Sequence, residues 1–290
     1  MMQMARISAF AMSALMTASA GLAQAQEIVT GKPVPLGTGF QVAATPVAED
    51  IHWLDDMLLV IITLIVLFVL GLLVAVVMKY NAKANPNPER FTHNAVLEVV
   101  WTAIPVVILF VIAVPSLKLL FNQLDVPEPY LTIKATGNQW FWSYEYPDQD
   151  ISMDAFMIGG GNAHLTDEIR AELADAGYTD DEFLLATDTR LVVPVNQNVH
   201  VLVTGSDVIH AWAVPAFGVK IDAVPGRTNE TWFRAEQLGT FFGQCSELCG
   251  KDHSYMPIVV EVVSQEDYDA WVLEQTAARD GATKVANAAN

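Results

Sequence analysis

The sequence predicts a mixed architecture: a two-helix membrane hairpin followed by an all-β sandwich or barrel. Three observations carry this. Two apolar runs, 54–78 and 95–120, are each long enough to cross a hydrocarbon core of ~30 Å as helices, which takes roughly 20 residues. Beyond them, short runs rich in Val, Ile and aromatic residues alternate with turn residues at the spacing of a sandwich or barrel. The charge also shifts: of 33 acidic and 15 basic side chains in 290 residues, 26 acidic and nine basic lie from Phe121 onward, net -17. An acidic domain repels nucleic acid and attracts a basic partner.

Residues 1–25 read as a secretory signal. Arg6 is their only charge, an apolar and small-residue run follows, and Ala23-Gln24-Ala25 fits a small-x-small cleavage site that leaves Gln26 first. Segment 26–53 lies outside the membrane; with Pro33, Pro35, Gly37 and Gly39, residues 31–56 read as irregular chain reaching the bilayer. Trp53 suits the interface, and Glu49, Asp50, Asp55 and Asp56 keep that side wet. The linker 79–94 carries Lys79, Lys83 and Arg90, with Pro86 and Pro88 forcing a turn. Basic residues favour the cytoplasmic side, so both chain ends lie on the exterior.

The second span holds Pro105 and Pro115, which membrane helices tolerate. Glu98, at its cytoplasmic end beside His93, is either a proton-entry or paired site, or an acid that snorkels to the interface or makes an intersubunit hydrogen bond. From Tyr130 the period becomes that of a strand, 131–136. It leads into an aromatic run in which alternation puts Trp140, Trp142 and Tyr144 on one face and Phe141 and Glu145 on the other. An exposed Trp rimmed by Glu145, Asp148, Asp150 and Asp154 would dock a basic protein.

Gly159-Gly160-Gly161 opens an acidic insertion, 159–182, with a short peripheral helix capped by Thr166. Strand candidates follow at 191–195, 199–204, 211–215, 219–223, 228–234 and 258–263. His200 alternates with valines and reads as packed and hydrogen-bonded rather than as a ligand. A short helix, 266–276, then gives way to an Ala- and Asn-rich tail expected to be disordered to residue 290.

The chemistry concentrates in Gly243-Gln244-Cys245-Ser246-Glu247-Leu248-Cys249-Gly250-Lys251-Asp252-His253-Ser254-Tyr255-Met256. It holds both cysteines, with a histidine and a methionine close behind. A disulfide four residues apart would constrain little chain. Two thiolates, an imidazole and a thioether are a soft ligand set that suits copper, and His210 can join from a separate loop. Cys2His2 also suits zinc. The second cysteine favours copper, since two bridging thiolates let two coppers share them.

With Cys245-Ser246-Glu247-Leu248-Cys249-Gly250 followed by His253 and Met256, the chain resembles subunit II of the haem-copper cytochrome c oxidases, in the two-span alphaproteobacterial aa3 form, from about His52 to Trp271. The resemblance implies a cupredoxin-like Greek-key domain over 121–265 on the periplasmic face of the bacterial inner membrane. It implies a binuclear copper A centre held by His210, Cys245, the backbone carbonyl of Glu247, Cys249, His253 and Met256. The Glu247 side chain would face a magnesium ion shared with subunit I. Glu98, in Leu97-Glu98-Val99-Val100-Trp101-Thr102, matches a carboxylate at the mouth of a proton channel. Trp140 matches the tryptophan that receives the electron from cytochrome c, and Glu145, Asp154, Asp188 and Asp207 match the acidic ring that docks that cytochrome. Further implied partners are subunit III, membrane lipids and a copper-delivery protein. The 159–182 insertion departs from the shorter mitochondrial relatives.

The resemblance thus implies an electron-accepting subunit of an oxygen-reducing, proton-pumping complex, with the oxygen chemistry in subunit I. A copper-free quinol oxidase scaffold shares the architecture, but Cys245, Cys249 and His210 are intact. A membrane-tethered copper chaperone would need an exposed, exchangeable site. A soluble nitrous-oxide-reducing enzyme would have no need of the hairpin.

Overall fold

The computed structural model describes residues 28–288, with side chains to residue 280. The signal-like stretch 1–25 and Gln26 lie outside the described residues.

Two long helices come first, α1 (Pro46–Lys79) and α2 (Ala95–Leu124). Both are long and apolar enough to cross a membrane, and their most apolar windows have no buried share. α1 starts eight residues before the expected span, inside the segment read as irregular. The cause is local. Thr45 is an N-cap whose Oγ1 accepts from Ala48 N at 3.0 Å, Pro46 has no N–H to leave unpaired, and Glu49 lies at the positive end of the helix dipole. The cap also fixes the helix to the β-domain, because Thr45 Oγ1 donates to Phe217 O at 2.8 Å. Asn94 caps α2 through Leu97 N, and the helix runs on to Leu124 with Pro105 and Pro115 inside it.

Eleven strands are described. One sheet contains β5 (Leu191–Pro194), β11 (Pro257–Val263), β10 (Gly239–Cys245), β7 (His210–Val214) and β8 (Val219–Ala223) in that order, with β1 (Val29–Gly31) also paired to β10. The other is ordered β4 (Ile151–Ala155), β3 (Phe141–Tyr146), β2 (Leu131–Asn138), β6 (Val199–Gly205) and β9 (Asn229–Phe233). Strict alternation in β2 and β6 turns Leu131, Ile133, Ala135, Val199, Val201 and Val203 into the space between the sheets. Trp142, Tyr144, Trp212, Phe217, Phe233 and Phe241 fill the rest of that core. Full burial of each Phe stabilises by roughly 1.5–3 kcal/mol. His200 lies on the other face, half-buried, and its Nε2 is 3.1 Å from Glu230 Oε2, a hydrogen bond.

The insertion is a structured cover. Its helix α3 (Asp167–Asp175) is capped by Thr166, as expected, and sets Ile169 and Leu173 with Tyr178 against Phe242 of β10 and Val259 of β11. These two residues point away from the main core, so without the insertion they would be bare. Lys32, just after β1, bonds Asp181 at 2.6 Å and Glu182 at 3.4 Å and ties the insertion to the N-terminal strand. The last helix, α4 (Gln265–Ala288), runs twelve residues beyond the expected short helix, through the stretch read as disordered. Ala is the best helix former, which accounts for the extension.

Candidate metal centre

β10 delivers Cys245 at its last residue, and β7 delivers His210 at its first. The two strands pair antiparallel through Cys245 and Trp212, which brings the ends together. The chain then loops through Cys249, makes a single 3-10 turn over His253–Tyr255, and returns through Met256 into β11. Ser246 N donates to Ala211 O at 3.0 Å and anchors the loop's start.

The expected ligand atoms converge. Cys245 Sγ lies 3.8 Å from His210 Nδ1, 3.4 Å from the Glu247 carbonyl oxygen and 3.8 Å from Cys249 Sγ. Cys249 Sγ lies 3.5 Å from His253 Nδ1 and 3.5 Å from Met256 Sδ. Both cysteines are free thiols. Ligand atoms of His210, Cys245 and Cys249 all fall within 4.8 Å of one another. His210, Cys245, Cys249 and Met256 are buried and His253 half-buried, so the cluster is enclosed rather than open for exchange. Two imidazoles, two thiols, a thioether and a carbonyl fit copper as a soft mixed donor set.

Asp207 orients His210. Its Oδ1 lies 2.9 Å from His210 Nε2, which leaves Nδ1 free to face the sulfur. Burial opposes charge on both groups. For Asp207 the bonds from His210, Val208 N and Gln139 N prevail and hold its carboxyl below the usual range. For His210 the Cys245 thiol and Asp207 prevail and raise its pKa. In Cys245 burial is outweighed by His210 and the backbone, so the thiol titrates low; in Cys249 burial and the neighbouring Cys245 push it up.

Trp140 is not on the strand where alternation put it. β3 starts at Phe141, and Gln139 and Trp140 form the turn between β2 and β3. The inward face of β3 is Trp142, Tyr144 and Tyr146, while Phe141 stacks on Phe156 at 4.4 Å on the other side. The turn carries Trp140 onto the metal loop. Its Nε1–H donates to Cys249 O at 3.3 Å, and Gln139 Nε2 donates to the same oxygen at 2.9 Å. Gln139 N in turn donates to Asp207 Oδ2 at 2.7 Å. A groove of about 290 Å³ opens beside Trp140, lined in part by Phe141, Phe156, Gly160, Asp252 and Tyr255.

The expected acidic rim is only partly as drawn. Asp148 and Asp150 sit past the far end of β3, which lies about 20 Å along the strand from Trp140. Asp150 bonds Arg279 there at 2.7 Å. Asp154 accepts from Ser143 Oγ at 2.6 Å, Asp188 accepts from Phe156 N at 2.9 Å, and Glu145 pairs with Lys134 at 2.6 Å. Glu247 is exposed, flanked by an exposed Leu248. Glu98 lies away from the cluster, in the first turn of α2, where its Oε1 accepts from Asn94 N at 3.3 Å.

Four contributors had no signal in sequence. Gln139 holds the Cys249 carbonyl, and Trp142 Nε1 donates to Met256 O at 3.3 Å. Gly137 leaves room for the His210 ring, which a Cβ would meet at 2.8 Å, and Gly250 does the same for Trp140 at 2.9 Å. The role of Asp207 was partly readable, as an acid three residues before a candidate ligand histidine.

The family description "Cytochrome C oxidase subunit II, periplasmic domain" matches residues 131–263, and "Cytochrome C oxidase subunit II, transmembrane domain" matches residues 33–119. The chain is 56% identical to cytochrome c oxidase subunit 2 of Cereibacter sphaeroides over 266 residues, 90% of this chain and 88% of that one. It is 42% identical to cytochrome c oxidase subunit 2 of Oenothera berteroana over 245 residues, 82% of this chain and 90% of that one. A crystal structure of the periplasmic domain of subunit II of cytochrome oxidase from Bradyrhizobium japonicum shares 48% identity and a TM-score of 0.45. It covers 53% of this chain and 99% of that one.

Proposed function

Because this chain belongs to the cytochrome c oxidase subunit II family, we propose that His210, Cys245, the Glu247 carbonyl, Cys249, His253 and Met256 hold a binuclear copper A centre. The chain is a membrane subunit of a haem-copper oxidase and takes in its electrons. One observation carries the ligand assignment. Each cysteine sulfur lies within 3.8 Å of the other and of a different imidazole Nδ1, so two metals can share both thiolates while each has its own histidine. Two coppers bound in this way supply reversible one-electron exchange without bond chemistry.

Reduced cytochrome c is the donor. Asp154, Asp188, Asp207 and, farther along β3, Glu145 attract its basic face, and Trp140 takes the electron. What supports this is the Trp140–Cys249 hydrogen bond, which leads from the indole to a ligand residue's own backbone. Electrons leave to haem in subunit I, and Glu247 beside the exposed Leu248 suits a face covered by that subunit, with magnesium at the boundary. Glu98 serves the mouth of a proton channel, at the helix end adjoining the basic 79–94 linker on the cytoplasmic side. Subunit III, membrane lipids and a copper-delivery protein complete the partners, and the setting is the bacterial inner membrane.

Copper content and electron paramagnetic resonance on the full chain test the centre. Two coppers per chain with a seven-line hyperfine pattern are expected, one unpaired electron spread over two equivalent nuclei. A single copper with four lines, or zinc in the natively purified protein, overturns it.

A further inference from the structure

Lys251 lies against the indole that takes the electron. Its Nζ is 5.1 Å from the centroid of the Trp140 ring, within cation–π range, and 2.6 Å from Asp252 Oδ2. Three quarters of the Lys251 side chain is exposed, so packing does not force it there. A cation in this position, even one paired with Asp252, runs against the surrounding charge. The exposed Asp154, Asp188 and Asp207 attract a basic partner, yet its approach to Trp140 meets a like charge.

That charge answers a problem the acids create. Negative groups draw a partner's lysines without saying where on the surface each should rest, and a tryptophan face itself attracts an ammonium. A partner lysine stacked on Trp140 would hold the two proteins together with the donor's redox group off centre. We propose that Lys251, held by Asp252, occupies the cation-binding face of Trp140 and turns the partner's lysines away from it onto the neighbouring carboxylates, so that only an uncharged, apolar donor edge settles over the indole. This is specificity by a repulsive element, set within an attractive rim. The aromatic groove beside Trp140, with Phe141, Phe156 and Tyr255 in its walls, suits such an edge. Lys251 is then a positioning residue that acts through Trp140, and the inference rests on Trp140 being where the electron is taken up.

The test uses the assembled oxidase with reduced, lysine-rich cytochrome c. Lys251→Gln, Lys251→Arg and Trp140→Phe are compared across ionic strength, with the copper resonance as a check on the centre. For Lys251→Gln at low salt, KM falls about two- to fivefold because a repulsion is gone, and kcat falls by a similar factor because more encounters are off register. Both differences shrink as salt screens the charges. Lys251→Arg, which also stacks on indole, restores the wild-type values. A fall in KM with kcat unchanged overturns the inference, leaving only a general charge effect, and so does no change in either. Trp140→Phe separates the two readings. If it slows electron uptake while Lys251→Gln shows no split, only the inference fails; if it leaves electron uptake unchanged, the role of Trp140 fails and takes the inference with it.

Discussion

The Trp140 indole Nε1–H donates to the carbonyl oxygen of Cys249 at 3.3 Å, joining residues 109 positions apart. The same carbonyl takes a second bond from Gln139, so the β2–β3 turn and the metal loop are clamped at one oxygen. Asp207 holds the other side, accepting from Gln139 N while orienting His210. Trp140, Cys249 and His210 are therefore parts of one hydrogen-bonded unit. Disturbing any member should be felt at the others.

Gly250 is where the contact is easiest to break without touching a ligand. It sits at φ 129, and a Cβ there would lie 2.9 Å from Trp140 Cζ2. In Gly250→Ala both the backbone and the indole must shift, costing ~1–3 kcal/mol. Trp140 fluorescence should change, and reduction by cytochrome c should slow at least about tenfold while copper content holds, since a shift from productive geometry is costly. Reduction at the wild-type rate would show that the contact is incidental.

Asp207→Ala removes the acceptor of His210 Nε2 and frees the ring to rotate. Loss of such an outer partner lowers metal affinity about 10–100-fold. Competition against a copper chelator measures it, and the hyperfine pattern should lose its symmetry because only one of the two imidazoles is affected. An unchanged affinity would mean that Asp207 acts only as a surface charge.

Five of the six candidate ligands were legible because they crowd into one short motif, with His210 arriving from a separate strand, and the hairpin because apolar length is a one-dimensional property. Contacts such as Trp140–Cys249 were not, since only the sandwich brings a turn at Trp140 beside a loop 109 residues later. β10 escaped strand recognition for a physical reason. Gly239 and Gly243 interrupt its pattern, yet both are required: a Cβ would strike the Val29 carbonyl oxygen in one case and the Ala213 carbonyl oxygen in the other. The start of α1 hid behind Pro46 and two acids, which look like loop composition and are equally a helix N-terminus. Alternation misplaced Trp140 because it carried the strand period back through a turn.

Copper uptake should depend on pH through the two thiols. Burial and the neighbouring sulfur raise Cys249, so its thiol keeps its proton at neutral pH in the metal-free protein. Metal binding needs the thiolate and expels that proton. Apparent affinity should therefore rise with pH by about tenfold per unit while one proton is displaced. As pH falls, Cys245, held low by His210 against the effect of burial, and His210 itself, whose pKa is raised, hold protons that binding must also displace, so the slope steepens. Metal titrations at several pH values, with proton release followed in weak buffer, check the sign. An affinity flat from neutral to alkaline pH would contradict it.

The insertion should stabilise the domain without shaping the centre. Leu173 is 1% exposed and packs with Ile169 and Tyr178 over Phe242 and Val259, on the face of β10 and β11 turned away from the main core. Cys245 and Met256 belong to that main core, with Phe241 and Val260. Leu173→Ala removes buried methyl groups and leaves a cavity, a change that costs about 2–5 kcal/mol where the surroundings cannot collapse. Denaturant unfolding should shift to lower midpoint with its slope kept, while the copper resonance of the folded protein stays as it was. A changed hyperfine pattern in Leu173→Ala would mean that strain passes through Phe242 to Cys245, three residues along the same strand, and that the insertion tunes the centre it covers.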